Sequence, residues 1–235
     1  LRKQRRLLQT NVDFFNNMAH EFRTPLTNTG LALNMLVRKN PALHDDRFVE
    51  VLRRENKRLL SEVERVLQLA GIHNGHLTLQ QEYLPLRDLL QSVCQDLELP
   101  IAAKGAAVDL EGVPAALEIW GDRAHLANAF RNLIDNALKY ITGQPHIRLS
   151  ARMQGKGVLV AVEDNGIGIP ADQRTLIFEK FQRADQGNIH DQKGFGLGLA
   201  YVKSIVELHR GFVCVNAEPR QGSRFEVFLP LTKPL

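Results

Sequence analysis

The stretch AHEFRTPL, residues 19–26, places a histidine and an acidic residue inside a periodic run of apolar residues. The apolar positions recur in alternating steps of three and four, which is typical of a coiled-coil seam. His20 follows a seam position by one residue, so we expect its imidazole to point into solvent. The pattern leaves two interpretations open, a reactive histidine and a surface histidine without a role. Thr29 fills the one polar gap in the seam, whose apolar members are Val12, Phe15, Ala19, Phe22, Leu26, Leu33 and Leu36.

This seam predicts a helical hairpin. A first helix is expected over residues 1 to about 37, and a second helix should end at Gly71 and have Asp45 or Asp46 as its N-cap. The second helix also has an apolar face, and two antiparallel helices cannot bury both faces alone. We therefore predict an all-α hairpin that forms a four-helix bundle as a homodimer. The face of the second helix consists of Phe48, Leu52, Leu59, Val63, Val66 and Ala70.

Pro25 lies inside the first predicted helix, five residues after His20. A proline removes one backbone donor and clashes with the preceding turn, at a cost of roughly 3 kcal/mol in an ordinary helix interior. We therefore expect Pro25 to kink the helix and to loosen the turn that carries the histidine.

A second domain is expected after the hairpin, because the composition changes at Gly71. Residues 1–72 are predicted to form the hairpin domain, 73–81 a linker and 82–235 the second domain. Helices and strands alternate there without a βαβ rhythm, which predicts an α+β domain with helices on one face of a sheet. The predicted helices are 86–99, 122–141 and 195–209; strands are expected near 77–83, 107–110, 116–120, 145–153, 157–163, 212–217 and 223–229.

Composition limits the classes of protein. The 235 residues are 44% apolar and 24% charged, which is ordinary for a soluble protein. The basic cluster at residues 1–8 is better explained as a solvated helix face than as a nucleic-acid site, since no DNA-binding pattern follows it. Cys94 and Cys214 form no CxxC pair and are expected to be buried thiols. No apolar run approaches the ~20 residues of a membrane span. The chain begins with leucine, so we expect a piece of a longer protein.

The segment NLIDNALKY, residues 132–140, is expected on a helix, with Asn132 and Asn136 on one face and Lys139 at its edge. Two amide oxygens aimed together can ligate a hard cation such as Mg²⁺, and the lysine can neutralise phosphate oxygens. The alternative is an ordinary polar helix face.

The segment DNGIGIP, residues 164–170, follows an apolar strand. Gly166 and Gly168 permit positive φ and a close approach of the backbone to a flat ligand. Asp164 can accept a hydrogen bond from an exocyclic amine. The alternative is an ordinary Asp-Asn-Gly turn.

The segment GFGLGL, residues 194–199, opens a helix whose N-terminal N–H groups would favour phosphate. Its spacing fits neither the dinucleotide fingerprint nor a Walker A loop, and a glycine triplet of this kind is weakly specific.

Residues 178–193 lie between the last two segments. Phe178 and Phe181 could anchor this stretch, whose remainder is polar. A mobile lid over a nucleotide and a plain surface loop are both open interpretations.

Taken in order and at these separations, the segments resemble the motifs of the sensor histidine kinases of two-component systems. AHEFRTPL is similar to the H-box of that family, NLIDNALKY to its N-box, DNGIGIP to its G1 box, FEKFQR to its F-box and GFGLGL to its G2 box. QGSRF, residues 221–225, is similar to the last glycine motif. The resemblance covers essentially the whole chain.

The resemblance implies ATP-dependent autophosphorylation on His20, followed by phosphoryl transfer to an aspartate of a response regulator. Glu21 would orient the ring and take its proton. Thr24 would position water for dephosphorylating the regulator, and Arg183 would steady the γ-phosphate. The HExxH pattern of zinc proteases is excluded, because Thr24 stands where the second histidine would be.

The resemblance also implies a Bergerat-type ATP-binding sandwich that holds ATP and Mg²⁺. Asp164 would bind the adenine amino group, and Asn132 with Asn136 would reach the metal. Asn132 stands where related gyrase-type ATPases have a water-activating glutamate, so transfer to His20 is favoured over hydrolysis. The implied ATP-binding residues are Asn132, Asn136, Lys139, Tyr140, Asp164, Gly166, Gly168, Ile169, Phe181, Gly194, Gly196, Leu197, Gly198, Leu199 and Ser223.

Two other functions are weighed beside this one, a nucleotide-binding pseudokinase that scaffolds a partner and a dimerising ATPase of the gyrase type. The implied partners are a second copy of the chain and the receiver domain of a response regulator, with no nucleic acid. The implied location is the cytoplasmic portion of an inner-membrane sensor protein whose sensor domain lies upstream.

Overall fold

The computed structural model of the chain describes residues 2–73, 77–141, 143–182, 196–218 and 221–231, with side chains from residue 21 onward except at positions 65, 70 and 73. The chain divides into two compact units, one ending at Thr78 and the other beginning at Leu79. Within the described ranges, no helix is both long and apolar enough to span a bilayer.

The first unit is a hairpin of two long helices. Helix α1 spans Arg2–Lys39 and helix α2 spans Arg47–His73, with a 3₁₀ turn at Pro41–Leu43 between them. The predicted N-cap is confirmed, because Asp46 Oδ1 accepts hydrogen bonds from the backbone N–H groups of Phe48 at 2.9 Å and Val49 at 3.1 Å. The predicted end at Gly71 is wrong. This glycine is not in the left-handed conformation of a C-terminal cap, and the helix continues for two more residues.

Apolar residues of the hairpin fall into a covered set and an exposed set. Leu33 and Val37 of α1 are buried, as are Val49 and Leu69 of α2. Several members of the predicted seams remain exposed, the largest being Phe48 with 78% of its surface accessible. The hairpin alone therefore leaves part of its apolar surface uncovered. The exposed set comprises Phe22, Leu31, Met35, Leu36, Phe48, Val51, Leu52 and Leu59.

The second unit is built on a five-stranded sheet in the order β2-β4-β5-β7-β6, beside a two-stranded sheet of β1 and β3. In the large sheet β2 runs parallel to β4, and the other neighbours are antiparallel. The strands are β1 Gln81–Pro85, β2 Ala107–Gly112, β3 Glu118–Asp122, β4 His146–Gln154, β5 Gly157–Asp164, β6 Phe212–Ala217 and β7 Ser223–Pro230.

Helices cover the inner face of this sheet. They are α3 Leu86–Asp96, α4 Glu98–Ala103, α5 Arg123–Lys139 and α6 Gly198–Leu208. Alternate residues of β7 are buried, namely Phe225, Val227 and Leu229, as expected for a strand with one face against helices. The helices supply fully buried partners such as Leu133 and Ile205. The α+β architecture is thus the predicted one.

The outer face of the sheet carries a cross-strand row of polar residues with alternating charge. The row crosses β2, β4, β5, β7 and β6 in turn and consists of Asp109, Arg148, Glu163, Arg224 and Asn216. Arg148 Nε lies 3.6 Å from Asp109 Oδ2, and Arg224 pairs with Glu163. Exposed pairs of this kind add little stability each, but they keep the outer face polar.

Two expectations about this unit need correction. The helix predicted over 86–99 is two helices, α3 and α4, because Pro100 lacks a backbone donor and its ring clashes with the carbonyl four residues earlier.

Cys94 is half-buried, and burial raises the pKa of its thiol to about 11. Cys214, however, is exposed on the edge strand β6, so the prediction of two buried thiols is wrong for this residue.

Candidate functional site

A carboxylate stands at the end of the central strand β5. Asp164 Oδ1 accepts hydrogen bonds from the backbone N–H groups of Gly166 at 2.8 Å and Ser223 at 3.2 Å. Burial raises the pKa of Asp164, although both N–H donors favour the charged form and oppose this shift. No donor from the described residues contacts Oδ2, which leaves this oxygen to accept a hydrogen bond from a ligand.

Two glycines allow the backbone to pass close to this carboxylate. A Cβ on Gly166 would lie 2.7 Å from Asp164 Oδ1 and 2.7 Å from the Tyr140 carbonyl oxygen. A Cβ on Gly222 would lie 2.0 Å from the Asp164 carbonyl oxygen, and Gly222 has a φ of 85°. Gly168 has the predicted positive φ, at 71°, but Gly166 does not. Gly166 is therefore required by space rather than by conformation.

The end of α5 is tied to the loop after β5. Tyr140 caps the C-terminus of α5, and its carbonyl oxygen accepts a hydrogen bond from Ile167 N at 3.0 Å. Ile169 is buried in the same loop. The predicted N-box and G1 segments therefore meet in the fold.

An open cleft of about 370 Å³ lies at the ends of β5, β6 and β7. Asp164 and Ser223 line it together with Arg174, whose Nη2 lies 3.3 Å from Glu218 Oε1. The other described lining residues of the cleft are Glu163, Asn216, Ala217, Gln221, Gly222 and Arg224.

The polar residues of α5 differ in their surroundings. Asn132 is only 4% exposed, and its Nδ2 donates to the Asn128 carbonyl oxygen at 2.7 Å. Its Oδ1 lies toward α6, since a Cβ on Gly198 would lie 2.9 Å from it. Asn136, one turn further along, is half-buried. Lys139 forms an ion pair with Asp135, with Nζ 2.5 Å from Oδ2, which sequence reasoning did not anticipate.

The segment before α6 passes close to the backbone of Phe181 and Gln182. Gly196 has a φ of 70°, and a Cβ there would lie 2.6 Å from the Gln182 carbonyl oxygen. Leu197 is buried as the N-cap residue of α6, and Gly198 and Leu199 form its first turn.

Phe178 is buried edge-on against Phe225, as an anchor should be, whereas Phe181 is exposed with a φ of 62°. The predicted site residues Arg183 and Gly194 lie outside the described residues.

The predicted phosphoacceptor segment lies within α1. His20 is part of this helix, but its side chain is outside the described side chains. Glu21 and Thr24 are both exposed. Pro25 is inside the helix, and the hydroxyl of Thr29 donates to its carbonyl oxygen at 2.8 Å.

The described residues fit a magnesium ion held by amide and phosphate oxygens. Among them, no group of three or more His, Cys, Asp or Glu side chains could hold a metal. Asn132 Oδ1 instead lies close to the first turn of α6, where the absence of a Cβ at Gly198 leaves room for it. A hard cation that keeps waters and phosphates in its shell suits such an oxygen.

Two family models match the chain. Residues 10–75 match the His Kinase A (phospho-acceptor) domain, and residues 121–233 match the histidine kinase-, DNA gyrase B- and HSP90-like ATPase family. The chain belongs to the sensor histidine kinases. Both the resemblance and the fold class, a helical hairpin followed by an α+β ATPase domain, are therefore confirmed.

Relatives of this histidine kinase are sensor proteins. The sensor protein RprX of Bacteroides fragilis is 36% identical over 98% of this chain and 46% of its own length. The alginate biosynthesis sensor protein KinB of Pseudomonas aeruginosa is 32% identical over 97% of this chain and 38% of its own length. The kinase chain thus spans less than half the length of these two relatives.

Solved structures of histidine kinases share the fold. Full-length ShkA, crystallised with AMPPNP, is 27% identical, with a TM-score of 0.77 over 94% of this chain and 46% of its own. The Acinetobacter baumannii histidine kinase AdeS, at 21% identity, has a TM-score of 0.67 over 91% of this chain and 98% of its own.

Sequence reasoning missed several residues of the kinase site. Gly222 stood in the quoted QGSRF motif, and its position beside Ser223 was the available signal. Asn128 also contacts a predicted site residue, because its carbonyl oxygen accepts a hydrogen bond from Asn132 Nδ2, but it belongs to no motif.

Proposed function

We propose that the second unit of this chain binds ATP and that the γ-phosphoryl group is transferred to His20 of the first unit. The observation that carries the proposal is the carboxylate of Asp164, which Gly166 and Ser223 hold through Oδ1. Its Oδ2 can then accept a hydrogen bond from the adenine amino group. The match to both kinase family models supports the same function.

The polyphosphate would lie at the first turn of α6. Backbone N–H groups of Gly196, Leu197, Gly198 and Leu199 begin this helix, where unpaired donors and the helix dipole favour anions. Lys139 would add a positive charge from α5. The further predicted contacts from Tyr140, Phe181, Arg183, Gly194 and Ser223 are part of this proposal.

Asn132 and Asn136 would hold Mg²⁺ against the phosphates. When bound, the ion would neutralise negative charge on the transferring group and on the leaving ADP. Asn132 Oδ1 already faces the turn where the phosphates would lie.

The reaction would be an in-line displacement at the γ-phosphorus. A neutral ring nitrogen of His20 attacks, an N–P bond forms, and the bond from phosphorus to the β,γ-bridging oxygen breaks to release ADP. Glu21 would orient the ring and accept its proton, which keeps the attacking nitrogen nucleophilic. The exposure of Glu21 on α1 is compatible with this role.

Hydrolysis of ATP is the reaction that competes with this transfer. A gyrase-type ATPase needs a general base beside the γ-phosphate. The amide of Asn132 cannot accept a proton from water and already donates to Asn128. Transfer to His20 is therefore favoured over steady hydrolysis.

Autophosphorylation can be measured with γ-labelled ATP. The chain should gain acid-labile, alkali-stable label, which His20→Gln should abolish. His44→Gln is the matched control, since the side chain of His44 is 73% exposed at the tip of the hairpin. No label on the unmodified chain would favour the pseudokinase, whereas phosphate release that survives His20→Gln would favour the gyrase-type ATPase.

Transfer to a response regulator is a further part of the proposal. The regulator would dock on the hairpin, roughly at residues 27–38 and 46–58, so that its aspartate reaches the phosphorylated His20. The sensor proteins among the relatives also support the proposal that this chain is the cytoplasmic portion of a longer, membrane-bound sensor, with residues 73–81 as the linker between its two domains.

We predict that Thr24 takes part in the reverse reaction, the dephosphorylation of the regulator. Thr24→Ala should keep autophosphorylation within about twofold and lower phosphatase activity about tenfold or more, because the side chain would position the attacking water. Ser61→Ala, at an exposed position of α2 outside the proposed docking surface, is the control. If both activities fell together, Thr24 would have only a structural role.

A further inference from the structure

Asn165, directly after β5, forms two hydrogen bonds with the segment that leads into β4. Its Oδ1 accepts from His146 N at 2.8 Å, and its Nδ2 donates to the Gln144 carbonyl oxygen at 3.1 Å. The two partners fix the orientation of the amide, because a backbone N–H can only donate and a carbonyl oxygen can only accept. Both bonds are made by the side chain of Asn165, so its truncation removes both.

The amide of Asn165 extends the sheet beyond its last backbone pair. The register between β4 and β5 ends one residue before Asn165. The Asn165 side chain then bonds to residues 144–146 as a neighbouring strand would. On its other edge the same segment is held by β2, since Ala107 N donates to the Pro145 carbonyl oxygen at 2.9 Å. The segment is bonded on both sides and gives Asn165 a fixed partner.

The peptide group after Asn165 carries a donor of the candidate site. Gly166 N donates to Asp164 Oδ1 at 2.8 Å, and Ile167 N donates to the Tyr140 carbonyl oxygen at 3.0 Å. The direction of the Gly166 N–H depends on the ψ angle of Asn165. A side chain that is bonded to the segment before β4 restricts this angle, because rotation of the backbone would pull the amide away from its two partners.

The second donor to Asp164 is held in a different way. Ser223 N lies 3.2 Å from Oδ1 and belongs to β7, where Ser223 pairs with Asp164 in the ladder between β5 and β7. Gly166 lies in the loop after β5, outside this ladder. Asn165 can therefore act on one of the two donors, and the other serves as an internal reference.

We infer that Asn165 is a positioning residue, whose side chain holds the Asn165–Gly166 peptide group so that the Gly166 N–H stays on Asp164 Oδ1. The inference rests on the proposed function, in which Asp164 binds the adenine amino group. When Oδ1 is held by both backbone donors, Oδ2 keeps a fixed direction for the ligand. The alternative is that the two bonds of Asn165 only stabilise the loop.

Hydrogen exchange of single amides tests the inference without a ligand. In Asn165→Ala the Gly166 amide should exchange about fivefold or more faster than in the unmodified chain, measured by NMR on the full chain. The Ser223 amide, which bonds to the same oxygen, should keep its rate. Equal acceleration at both amides would show a general loosening. No acceleration at Gly166 would show that its N–H is held without Asn165, and either result would overturn the positioning role.

The pH dependence of ADP affinity is a second readout, measured by titration calorimetry. The bond from Gly166 opposes the rise in the pKa of Asp164, so a weakened bond should raise this pKa further. The adenine hydrogen bond requires the charged form. Affinity of Asn165→Ala should therefore begin to decline at a pH about half a unit or more above that of the unmodified chain. A variant that only loosens the loop would lose affinity by the same factor at every pH.

Two further variants control the comparison. Asn40→Ala also removes a side-chain amide that donates to a backbone carbonyl oxygen, but in the hairpin, and should change neither readout. Asn165→Ser, whose short hydroxyl cannot bridge both partners, should behave like Asn165→Ala and replaces it if the alanine variant fails to fold. The titratable groups around Asp164 are the same in all of these variants, namely Tyr140, His146, Glu163, Arg174, Glu218 and Arg224.

The possible outcomes separate the two proposals. If the unmodified chain failed to bind ADP, or if Asp164→Asn left the affinity and its pH profile unchanged, the proposed function would fail, whereas exchange at Gly166 would still decide whether Asn165 holds this N–H. Normal binding and a clear Asp164→Asn effect, with an unshifted pH profile for Asn165→Ala, would reject only the positioning role.

Discussion

At the scale of single residues, Asp164 shows a conflict between stability and ligand binding. Burial raises its pKa, so the folded protein favours the neutral carboxyl more than the unfolded chain does. Between the unfolded pKa and the higher folded pKa, the folded state binds more protons. The stability that this group contributes is therefore present at low pH and is lost as pH rises through the folded pKa. Ligand binding, in contrast, requires the charged form.

Asp164→Asn should therefore separate the two properties. At neutral pH we expect a modest rise in Tm without nucleotide, because the ionised group is removed while Gly166 and Ser223 keep an acceptor. ADP affinity should fall about tenfold or more, as expected for loss of a charged acceptor. Thermal unfolding and ADP titration measure the two effects, and Asp172→Asn, exposed in a 3₁₀ turn, is the control.

The pH dependence of ADP binding follows from the same shift. Affinity should decline on acidification at a less acidic pH than an ordinary aspartate would give, because the neutral carboxyl cannot accept the adenine hydrogen bond. Titrations across the acidic range should show this decline for the unmodified chain and not for Asp164→Asn. A flat profile for both would contradict the assignment of Asp164.

Gly222 should tolerate no side chain. A Cβ there would lie 2.0 Å from the Asp164 carbonyl oxygen at a φ of 85°, so Gly222→Ala combines a clash with a strained backbone. We expect a loss of about 3 kcal/mol or more in the free energy of unfolding. Gly155→Ala is the control, since its φ is 57° but nothing lies within 4 Å. It should cost only about 1–2 kcal/mol, and equal losses would show that the clash at position 222 is relieved.

Residue chemistry was easier to predict than residue geometry. Asn132, Asp164 and the glycines indicated a nucleotide site only through the order of their motifs, which resemble those of the sensor histidine kinases. That Gly166 is needed for space could not be predicted, because the reason is the Tyr140 carbonyl oxygen of another segment.

At the scale of elements, Pro25 is the feature whose effect can be isolated. The proline lies inside α1 and cannot donate to the Glu21 carbonyl oxygen, directly beside His20. Pro25→Ala should restore that hydrogen bond, stabilise the hairpin and change the ratio of kinase to phosphatase activity. Pro41→Ala, in the 3₁₀ turn between the helices, is the control. An unchanged ratio would count against a bend at this turn as part of the mechanism.

Element boundaries followed from local signals where these were strong. Asp46 caps α2 as predicted because its side chain acts on its own helix. The helix predicted over 86–99 is interrupted at Leu97, between α3 and α4. At Gly71 a glycine was mistaken for a helix end, although nothing in its surroundings requires a left-handed residue.

At the scale of the whole molecule, the exposed set of apolar residues on the hairpin predicts that the chain self-associates. Sedimentation at micromolar concentration should give twice the 26.5 kDa monomer mass, because an exposed apolar surface of this kind is stable only when covered. Phe48→Glu should weaken the dimer. Leu99→Glu, at an equally exposed leucine of the second unit, should leave the mass unchanged. A monomer under these conditions would refute the four-helix bundle.

The fold class was predictable because two different periodicities, seven-residue and two-residue, occupy separate parts of the chain. The division of the apolar seam into covered and exposed sets was not predictable. A seam of this kind gives the direction of an apolar face, but the burial of Leu33 and the exposure of Leu36 depend on how α2 packs.

The contact between Gly198 and Asn132 has a consequence for the evolution of such chains. A larger residue at 198 would collide with the amide oxygen of Asn132, and a larger residue at 132 would fill the space that the glycine leaves. A side chain at position 198 would therefore require the Asn132 amide to move. In a related protein that no longer transfers a phosphoryl group, we expect positions 132 and 198 to be substituted together. Substitution at both positions would then indicate that the activity has been lost.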